Sequence, residues 1–372
     1  MKQIVWVTPE YFLETDIYVV PELTKYYNIC WIIEHFKDVE KIPFYSDLEK
    51  CAVCDNLNIE YIHRPAAHPL SYKFWHFYWK LISKIKSYKP FTIYSAVLGI
   101  PYIPFCILRI PRKKIVFAAH NVNTPKGVKH YTFTKLYMGL TWRWFINFQN
   151  FSMSQYELLR NTYGEKNNFY APFVLKDYGK SFNQPKDIIT FLSFGRIRGY
   201  KSIEVLIEAA QRVKEQNESP FKVIIAGECS DWDSYQKLIR YPEIFDLRIH
   251  EVENADIPKL FGESHYTVLP YQDIAQSGAL FVCINYCKPS ILSQLPAFTE
   301  YITDGVDGLM IRPANIEDLT KQMLYVLNNH ETVYPILKAN LEKMKYEKFD
   351  KDAIVMKYKD YFDSFMQYAN IS

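Results

Sequence analysis

The sequence predicts an α/β protein made of two Rossmann-like domains, each a parallel sheet covered by helices, that face each other across a cleft. The 372 residues exceed what one ordinary core accommodates and suit two domains of roughly 150–200 residues each. Short β-rich runs alternate with helix-period segments, and the alternation restarts after a polar stretch that ends at Lys186. We therefore expect domains over residues 1–172 and 187–349, with a terminal helix at 350–368 that packs back on the first domain.

The first half is expected to alternate strands and helices up to a linker. Each expected strand is a short run of apolar, β-branched or aromatic residues, and each expected helix has apolar residues at a period near 3.6. The expected strands are Gln3–Thr8, Ile29–Ile33, Ile59–Ile62, Phe91–Ser95 and Ile115–Ala119. The expected helices are Tyr18–Tyr26, Ser71–Ser87 and Phe133–Phe148. Ala171-Pro172-Phe173 and the polar residues up to Lys186 are interpreted as the linker.

The second half repeats the pattern. Its expected strands are Ile188–Phe194, Lys222–Ala226, Leu247–Glu251, Tyr266–Leu269 and Ser290–Leu292. Its expected helices are Ser202–Gln216, Ile257–Gly262, Gly278–Tyr286, Asn315–Leu327 and Asp350–Tyr368. Ligands of such folds bind beyond the carboxyl ends of the strands, so we expect the functional residues there.

Charge is distributed unevenly along the chain. The formal net charge is only +3, yet residues 61–156 contain 14 Lys and Arg and no Asp or Glu. A stretch whose charged residues are all basic predicts an anionic partner, such as lipid headgroups, a phosphorylated substrate or nucleic acid. Nucleic-acid binding is disfavoured because no recognised module is present. The basic aromatic segment Tyr72–Lys89 suits a membrane interface, although a core-facing aromatic stripe with a solvated basic face is the alternative.

The cysteines and the hydropathy indicate a cytoplasmic protein without a metal. Seven cysteines show no disulfide rhythm, and Cys51 and Cys54 have no second pair or nearby histidine to complete a zinc set. The longest apolar run, Val97–Leu108, contains two prolines and is too short to span a bilayer. No secretory signal is evident, because the first residues have the pattern of a buried strand.

The segment Phe194–Lys201 stands where an expected strand hands over to an expected helix. Gly195 lets the backbone approach a ligand closely, and the following helix begins with free N–H groups and the positive end of its dipole. Arg196 and Lys201 add two cations across the turn, an arrangement that holds a diphosphate from two sides. A solvated loop is the alternative, with Arg196, Arg198 and Lys201 binding nothing.

A second strand end has the same character. Leu269-Pro270-Tyr271 is followed by the small-residue loop Asp273–Ala279 and then by an apolar helix. Ser277 can simply cap that helix. The Ser277-Gly278-Ala279 backbone can equally cradle phosphate oxygens, with the Ser277 hydroxyl as a further donor. Two anion-ready helix starts in one domain favour a diphosphate ligand over either structural explanation.

These motifs, in this order, resemble the C-terminal domain of family-4 retaining glycosyltransferases of the GT-B fold. The resemblance covers about residues 188–330 and is weaker upstream. It rests on Gly195-Arg196 with Lys201, Pro270-Tyr271, Gln276-Ser277-Gly278, Lys288-Pro289, Glu300, Asp304-Gly305 and Gly308-Leu309. The upstream similarities are Ala119-His120-Asn121, Met153–Leu159 and Ala171-Pro172-Phe173.

The resemblance implies transfer of a sugar from a nucleoside diphosphate to an acceptor hydroxyl with the anomeric configuration retained. It makes Arg196, Lys201 and His120 the catalytic residues: the two cations hold the departing diphosphate and His120 lies near the reacting sugar. The donor-binding residues that it implies are Gly195, Tyr271, Gln276, Ser277, Gly278, Ala279 and Glu300. Asn121 is assigned to the acceptor, a glycan or lipid-linked glycan, together with Glu14 and Asp16, for which a solvated turn is the alternative. Neither a cofactor nor a metal is implied, because the cations replace a divalent ion.

One departure from the family leaves a second hypothesis open. The family commonly has two glutamates near the phosphate loop, whereas Ile274 and Val282 occupy those places here. Glu300 can take over the role of these glutamates only if the loop before it folds inward. The chain is therefore either an enzyme of cell-surface polysaccharide or glycolipid synthesis or a non-catalytic relative that binds a nucleotide sugar or glycan. The presence of both Arg196 and Lys201 favours the enzyme.

Overall fold

The protein divides into two compact units. The structure, a computed structural model, describes residues 1–36, 38–42, 44–123, 131–181, 188–274 and 277–369. The first domain comprises Met1–Val174 and Asp350–Ser372, and the second comprises Leu175–Phe349. Within the described residues, no helix combines the length and the apolar character needed to cross a bilayer.

The first domain is built on a parallel sheet with the strand order β3-β2-β1-β4-β5-β6-β7. Its strands are β1 Gln3–Pro9, β2 Asn28–His35, β3 Leu57–His63, β4 Thr92–Ser95, β5 Ile115–Ala119, β6 Asn147–Asn150 and β7 Asn167–Tyr170. Its helices are α1 Leu13–Asp16, α2 Val20–Leu23, α3 Tyr45–Cys51, α4 Tyr72–Ser87, α5 Tyr102–Arg109, α6 Tyr131–Trp144, α7 Met153–Tyr163 and, at the end of the chain, α15 Lys351–Ala369. The order reverses between β1 and β4, so their carboxyl ends form a switch point at which such sheets bind ligands.

The second domain repeats this design with the strand order β10-β9-β8-β11-β12-β13, again parallel. Its strands are β8 Ile189–Phe194, β9 Phe221–Ala226, β10 Phe245–Arg248, β11 Tyr266–Leu269, β12 Ser290–Ser293 and β13 Leu309–Ile311. Its helices are α8 Ile203–Gln216, α9 Trp232–Gln236, α10 Ile257–Gly262, α11 Gly278–Asn285, α12 Pro296–Thr299, α13 Ile316–Asn328 and α14 His330–Phe349. Here the order reverses between β8 and β11.

Each sheet is buried on both faces, which the continuous apolar runs of its strands require. In β1, Ile4 and Trp6 contribute to one core layer and Val5 and Val7 to the other. The terminal helix α15 lies against the first of these layers, where the ring of Tyr358 is 5.9 Å from that of Trp6. This packing accounts for the assignment of residues 350 onward to the first domain.

The predicted α/β class with two parallel-sheet domains is confirmed, but two element predictions were wrong. The helix expected at Phe133–Phe148 ends at Trp144, and Asn147–Asn150 is strand β6. Hydropathy conceals this strand because Asn147, Gln149 and Asn150 are polar residues, although all three are buried. The side chain of Asn147 donates to the Ile115 carbonyl at 3.1 Å, and that of Gln149 donates to the Ala171 carbonyl.

The helix expected at Tyr18–Tyr26 is instead the single turn α2, Val20–Leu23. Pro21 stands in the first turn of α2, a position where its missing N–H costs nothing. Other elements have no expected counterpart: β7, α3, α5, α7, α9, α12, β13 and α14. Most of these are short, and a short element offers too few residues to establish a period.

Candidate active site

The loop after β8 is held by backbone contacts to the loop after β9. Gly195 donates its N–H to the Ala226 carbonyl at 2.9 Å, and Ile197 donates to the Glu228 carbonyl at 2.8 Å. Gly195 has a φ of +90°, a value that favours glycine. A Cβ there would also lie 3.2 Å from Nζ of Lys201. Glycine therefore both shapes this loop and leaves room for the lysine.

Gly227 is a second glycine that the loop requires. Its φ is +151°, and a Cβ at this position would lie 2.4 Å from the carbonyl oxygen of Gly195 and 3.2 Å from the backbone nitrogen of Arg196. Neither atom is the end of a flexible side chain, so any larger residue must displace the loop. The strand end Ala226-Gly227 gave a sequence signal of the same kind as Gly195, but it was not assigned to the site.

Lys201 is buried directly beneath this loop, with 7% of its surface exposed. Its Nζ donates to the Phe194 carbonyl at 3.2 Å and lies 5.5 Å from the centre of the Tyr271 ring. Burial lowers the pKa of Lys201 to about 8. A lysine held in this way gains from an arriving anion, which favours the charged form.

Arg196 is exposed on the same loop and is already paired. Its Nε lies 2.8 Å from Oε2 of Glu228, and each side chain is more than half exposed. An ion pair this exposed contributes little to stability. The guanidinium can therefore exchange Glu228 for another anion at small cost, which suits a residue that binds and releases a ligand.

The second predicted loop adjoins the first at the switch point between β8 and β11. The N–H of Gln272 donates to the Tyr200 carbonyl at 2.8 Å, which ties the two loops together. Tyr271, between them, is 1% exposed, and its ring makes an edge contact with Tyr200 at 5.7 Å. Tyr271 is a buried ring close to Lys201, and its role in binding the donor stays a prediction.

The helix starts differ in how they are capped. At α11, Ser277 is 4% exposed and its Oγ accepts a hydrogen bond from the N–H of Leu280 at 3.3 Å. The structural interpretation of Ser277 as a cap is therefore correct, although its hydroxyl hydrogen can still donate. At α8, the capping residue Ser202 has a φ of +51° and makes no side-chain hydrogen bond to the helix. The first N–H groups of α8 thus keep their capacity for an anion.

The remaining predicted donor residues differ in accessibility. Gly278 has open space around it, since no atom lies within 4 Å of a Cβ built there. Ala279 is half-buried, and Glu300 is half-buried at the end of α12, where its carbonyl accepts from Lys348 at 3.3 Å. Gln276 lies outside the described residues.

His120, predicted as catalytic, follows β5 in the first domain and is 8% exposed. Its ring is stacked between Phe12 and Phe151, at centroid distances of 3.7 and 4.3 Å. Burial lowers the pKa of His120 to about 3, so the imidazole is neutral. Its Nε2 is buried and has no hydrogen-bond partner among the described residues. Such an atom is available to a ligand hydroxyl.

The predicted acceptor residues divide into accessible and inaccessible ones. Glu14 and Asn121 are exposed. Asp16 is 1% exposed, and its Oδ2 accepts hydrogen bonds from Trp6 Nε1 at 2.9 Å and from the Thr8 hydroxyl. Burial raises the pKa of Asp16 to about 6. Asp16 is therefore a core residue, and neither an acceptor contact nor a solvated turn describes it.

The predicted absence of a metal site stays a prediction. Among the described residues, no three His, Cys, Asp or Glu side chains are grouped so that they could hold an ion. Cys51 and Cys54, the tempting pair in the sequence, are both free thiols.

Comparison with known proteins agrees with this geometry. Residues 176–346 match the protein family described as Glycosyl transferases group 1. A glycosyltransferase from Rickettsia africae is 14% identical over 98% of both chains, with a TM-score of 0.75. HepE from Anabaena, solved in complex with UDP and glucose, is 14% identical over 98% of this chain and all of its own, with a TM-score of 0.71. The sucrose-phosphate synthase of Thermosynechococcus elongatus is 12% identical over 99% of this chain and all of its own, with a TM-score of 0.74. No curated protein matches the sequence.

The chain therefore has the fold of the GT-B glycosyltransferases, and residues 176–346, in its second domain, match the group 1 glycosyltransferase family. The matched residues include both loops of the second switch point. The enzyme class is that of the glycosyltransferases.

Proposed function

We propose that this GT-B glycosyltransferase moves a sugar from a nucleoside diphosphate to an acceptor hydroxyl with retention of the anomeric configuration. The observation that carries the proposal is the pairing of Lys201 and Arg196 on one loop at the second switch point. Lys201 is buried, and burial lowers its pKa to about 8. Arg196 is exposed and forms an exposed ion pair with Glu228. Two such groups beside an open helix start form a site for a diphosphate.

The chemistry follows from the charge of the leaving group. As the glycosidic bond to the diphosphate breaks, negative charge grows on the departing oxygen. Lys201 and Arg196 stabilise that charge, and because both are positioned beforehand the reaction needs little reorganisation. On the basis of the family resemblance, we propose that His120 lies near the reacting sugar. Its ring is neutral, so it would act through a hydrogen bond and not through a charge.

Ribose recognition must differ from that of the common family pattern. Ile274 is half-buried, and Val282, in the other glutamate place, is 7% exposed. This departure favours the second candidate, a non-catalytic protein that binds a nucleotide sugar. We propose catalysis because Arg196 and Lys201, the two cations that would neutralise the departing diphosphate, are both present.

We propose that the enzyme acts in the cytoplasm, on the membrane surface, in the synthesis of a cell-surface polysaccharide or glycolipid. Helices α4, α5 and α6 bury their inner faces in the same core layer of the first domain. Their outer faces expose large apolar side chains, namely Tyr72, Trp79, Ile107, Leu108, Phe133, Leu136, Leu140 and Trp144. The charges of residues 61–156 are all basic. An apolar surface with only positive charges fits an anionic bilayer.

Donor hydrolysis and transfer measured across a panel of sugar nucleotides test the proposal. We expect one or a few sugar nucleotides to be turned over, and turnover to persist in excess EDTA because the two cations replace a divalent ion. Nuclear magnetic resonance of the product then gives its anomeric configuration. Tight donor binding without any turnover would establish the non-catalytic alternative, and an inverted product would refute retention.

A further inference from the structure

A row of aromatic rings crosses the carboxyl-end edge of the first sheet. Its members follow strands β1, β2, β5, β6 and β7, and successive rings are 3.7–6.0 Å apart between centroids. In order along the edge they are Phe36, Tyr11, Phe12, His120, Phe151 and Phe173. The row thus connects the proposed catalytic histidine with the loop after β2.

The end of the row that is distant from His120 is exposed. Tyr11 is 59% and Phe36 38% exposed, and their rings are nearly parallel, at 15°, with centroids 6.0 Å apart. Phe12 is half-buried and His120 is 8% exposed, so both are less accessible than this pair. We call these two stacked, exposed rings at the ligand-binding edge of the sheet the platform.

Polar groups hold this platform in place. The N–H of Phe36 donates to Oε2 of Glu10 at 2.9 Å, which ties the two loops together. The guanidinium of Arg64 lies 4.7 Å from the centre of the Phe36 ring. A cation at this distance from an aromatic face is attracted to it. These contacts hold the Phe36 ring in place before any ligand arrives, which lowers the cost of binding.

Arg64 also supplies hydrogen-bond donors at the edge of the platform. It is about a quarter exposed, and its guanidinium makes no hydrogen bond within the described part of the chain. Its Nε lies 3.6 Å from Oε1 of Glu34, a buried carboxylate that also accepts from the Tyr78 hydroxyl. Glu34 thus balances the charge of Arg64 on the Nε side. The other N–H groups of the guanidinium can then donate hydrogen bonds to oxygen atoms of a ligand.

We propose that Tyr11, Phe36 and Arg64 form a subsite for a neutral pyranose ring of the acceptor glycan. A pyranose combines an apolar C–H face, which covers an aromatic ring, with hydroxyl oxygens that accept from a guanidinium. The charges exclude a phosphorylated group, since two carboxylates, Glu10 and Glu34, accompany the single guanidinium. Glu34 is a positioning residue here. This inference rests on the proposed function, because it assigns the subsite to the acceptor.

Saturation-transfer nuclear magnetic resonance tests the subsite on the full chain. The probes are methyl glycosides of common hexopyranoses, linear tetrasaccharides of glucose, and glucose 6-phosphate as the charged comparison. We expect at least one neutral glycan to receive saturation on one face of its ring. Tyr11→Ala and Phe36→Ala should weaken its binding about tenfold. Tyr11→Phe should retain binding, because it keeps the ring, whereas Arg64→Lys should lose affinity because a lysine lacks the fork.

The controls separate this inference from the proposed function. Tyr346→Ala removes a tyrosine that is 77% exposed on α14 of the second domain and should change nothing. Thermal unfolding identifies any variant that fails to fold. Glycan binding without donor turnover would remove the proposed function and leave the subsite. Donor turnover with no neutral glycan bound, with binding of glucose 6-phosphate alone, or with binding unchanged in both alanine variants would overturn the subsite.

Discussion

The backbone N–H of Gln272 donates to the carbonyl oxygen of Tyr200 at 2.8 Å. The two residues are distant in the sequence, but they follow the neighbouring strands β8 and β11. Their bond joins the loop that carries Lys201 to the loop that precedes α11. A displacement of either loop is therefore transmitted to the other, and the residues that this junction holds should be sensitive to substitution.

Lys201 should be required for transfer. Lys201→Met keeps most of the aliphatic stem but removes the charge, and we expect it to lose about 2–4 kcal/mol of transition-state stabilisation. Arg196→Ala should lose a similar amount, whereas Arg198→Ala, on the same loop, should be nearly neutral. Steady-state kinetics with the preferred donor measure these losses. Wild-type turnover of Lys201→Met would refute the assignment.

The folding consequences of the two substitutions should differ. From the sequence both cations were expected to be accessible, but Lys201 is buried and Arg196 is not. Because the folded pKa of Lys201 is about 8 rather than 10.5, the unfolded chain binds more protons between these values. The free energy of unfolding of the wild type should thus rise with pH from about 8 to about 10.5. Urea unfolding at several pH values should show this rise in the wild type and less of it in Lys201→Met.

The same pKa predicts the alkaline limit of activity. The kcat/KM for the donor reports the free enzyme, so it should fall as the pH rises through about 8 and Lys201 loses its proton. A bound diphosphate favours the charged lysine, so kcat should fall only at a higher pH. Arg196→Ala should keep this alkaline limit at lower activity. Identical alkaline limits for kcat and kcat/KM would show that Lys201 does not face the diphosphate.

His120 can be tested for a chemical role apart from its packing. His120→Phe keeps a flat ring between Phe12 and Phe151 but removes both nitrogens. We expect transfer to fall about 100-fold. The unfolded histidine takes up a proton below its ordinary pKa of 6.5, whereas the folded one does so only near 3. The stability of the wild type should therefore decline as the pH falls from 6.5 to 3, and His120→Phe should reduce that decline.

The exposed His250 provides the matched control, since His250→Phe should leave the activity unchanged. Full transfer by His120→Phe, with its acid dependence reduced as expected, would make His120 a purely structural residue.

Gly227 should be irreplaceable although no ligand contact is assigned to it. In Gly227→Ala the Cβ would collide with the Gly195 carbonyl at 2.4 Å, and the backbone at φ +151° is strained for any other residue. We expect a loss of about 1–3 kcal/mol in stability and weaker donor binding because the loop is displaced. Gly199→Ala, where nothing lies within 4 Å of the new Cβ, is the control. Unchanged donor affinity in Gly227→Ala would show that the loop tolerates displacement.

The sequence predicted the second switch point better than the first. Strand ends with glycine, such as Phe194-Gly195, are local patterns, and local patterns suffice to identify both loops. The aromatic row could not be foreseen, because it joins rings from five strand ends that meet only in the folded sheet. The burial of Lys201 was also hidden, since a lysine stem can pack along apolar surface at a position that sequence suggests is solvated. Strand β6 was missed for the related reason that its buried polar residues find partners elsewhere in the chain.

The surface of α4, α5 and α6 should bind anionic bilayers in two separable ways. Each Lys or Arg near an anionic leaflet contributes about 1 kcal/mol, and this attraction weakens as salt rises. The apolar stripe of α6, which includes Leu136 and Leu140, contributes by burial and is not screened. Lys80→Glu with Lys86→Glu should therefore lose binding at low salt. Lys84 is omitted because it pairs with Glu60.

Leu136→Ser with Leu140→Ser should instead lose the binding that persists at high salt, because these side chains are about 60% exposed and would enter the bilayer in the wild type. Co-sedimentation with vesicles of anionic and of neutral lipid, at two salt concentrations, measures both components. Tyr346→Ser serves as the control, because Tyr346 is a large side chain on the second domain that is 77% exposed. If the wild type fails to sediment with anionic vesicles at low salt, the surface has another partner. A second copy of the chain would then be revealed by analytical ultracentrifugation, as an oligomer that Leu136→Ser with Leu140→Ser dissociates.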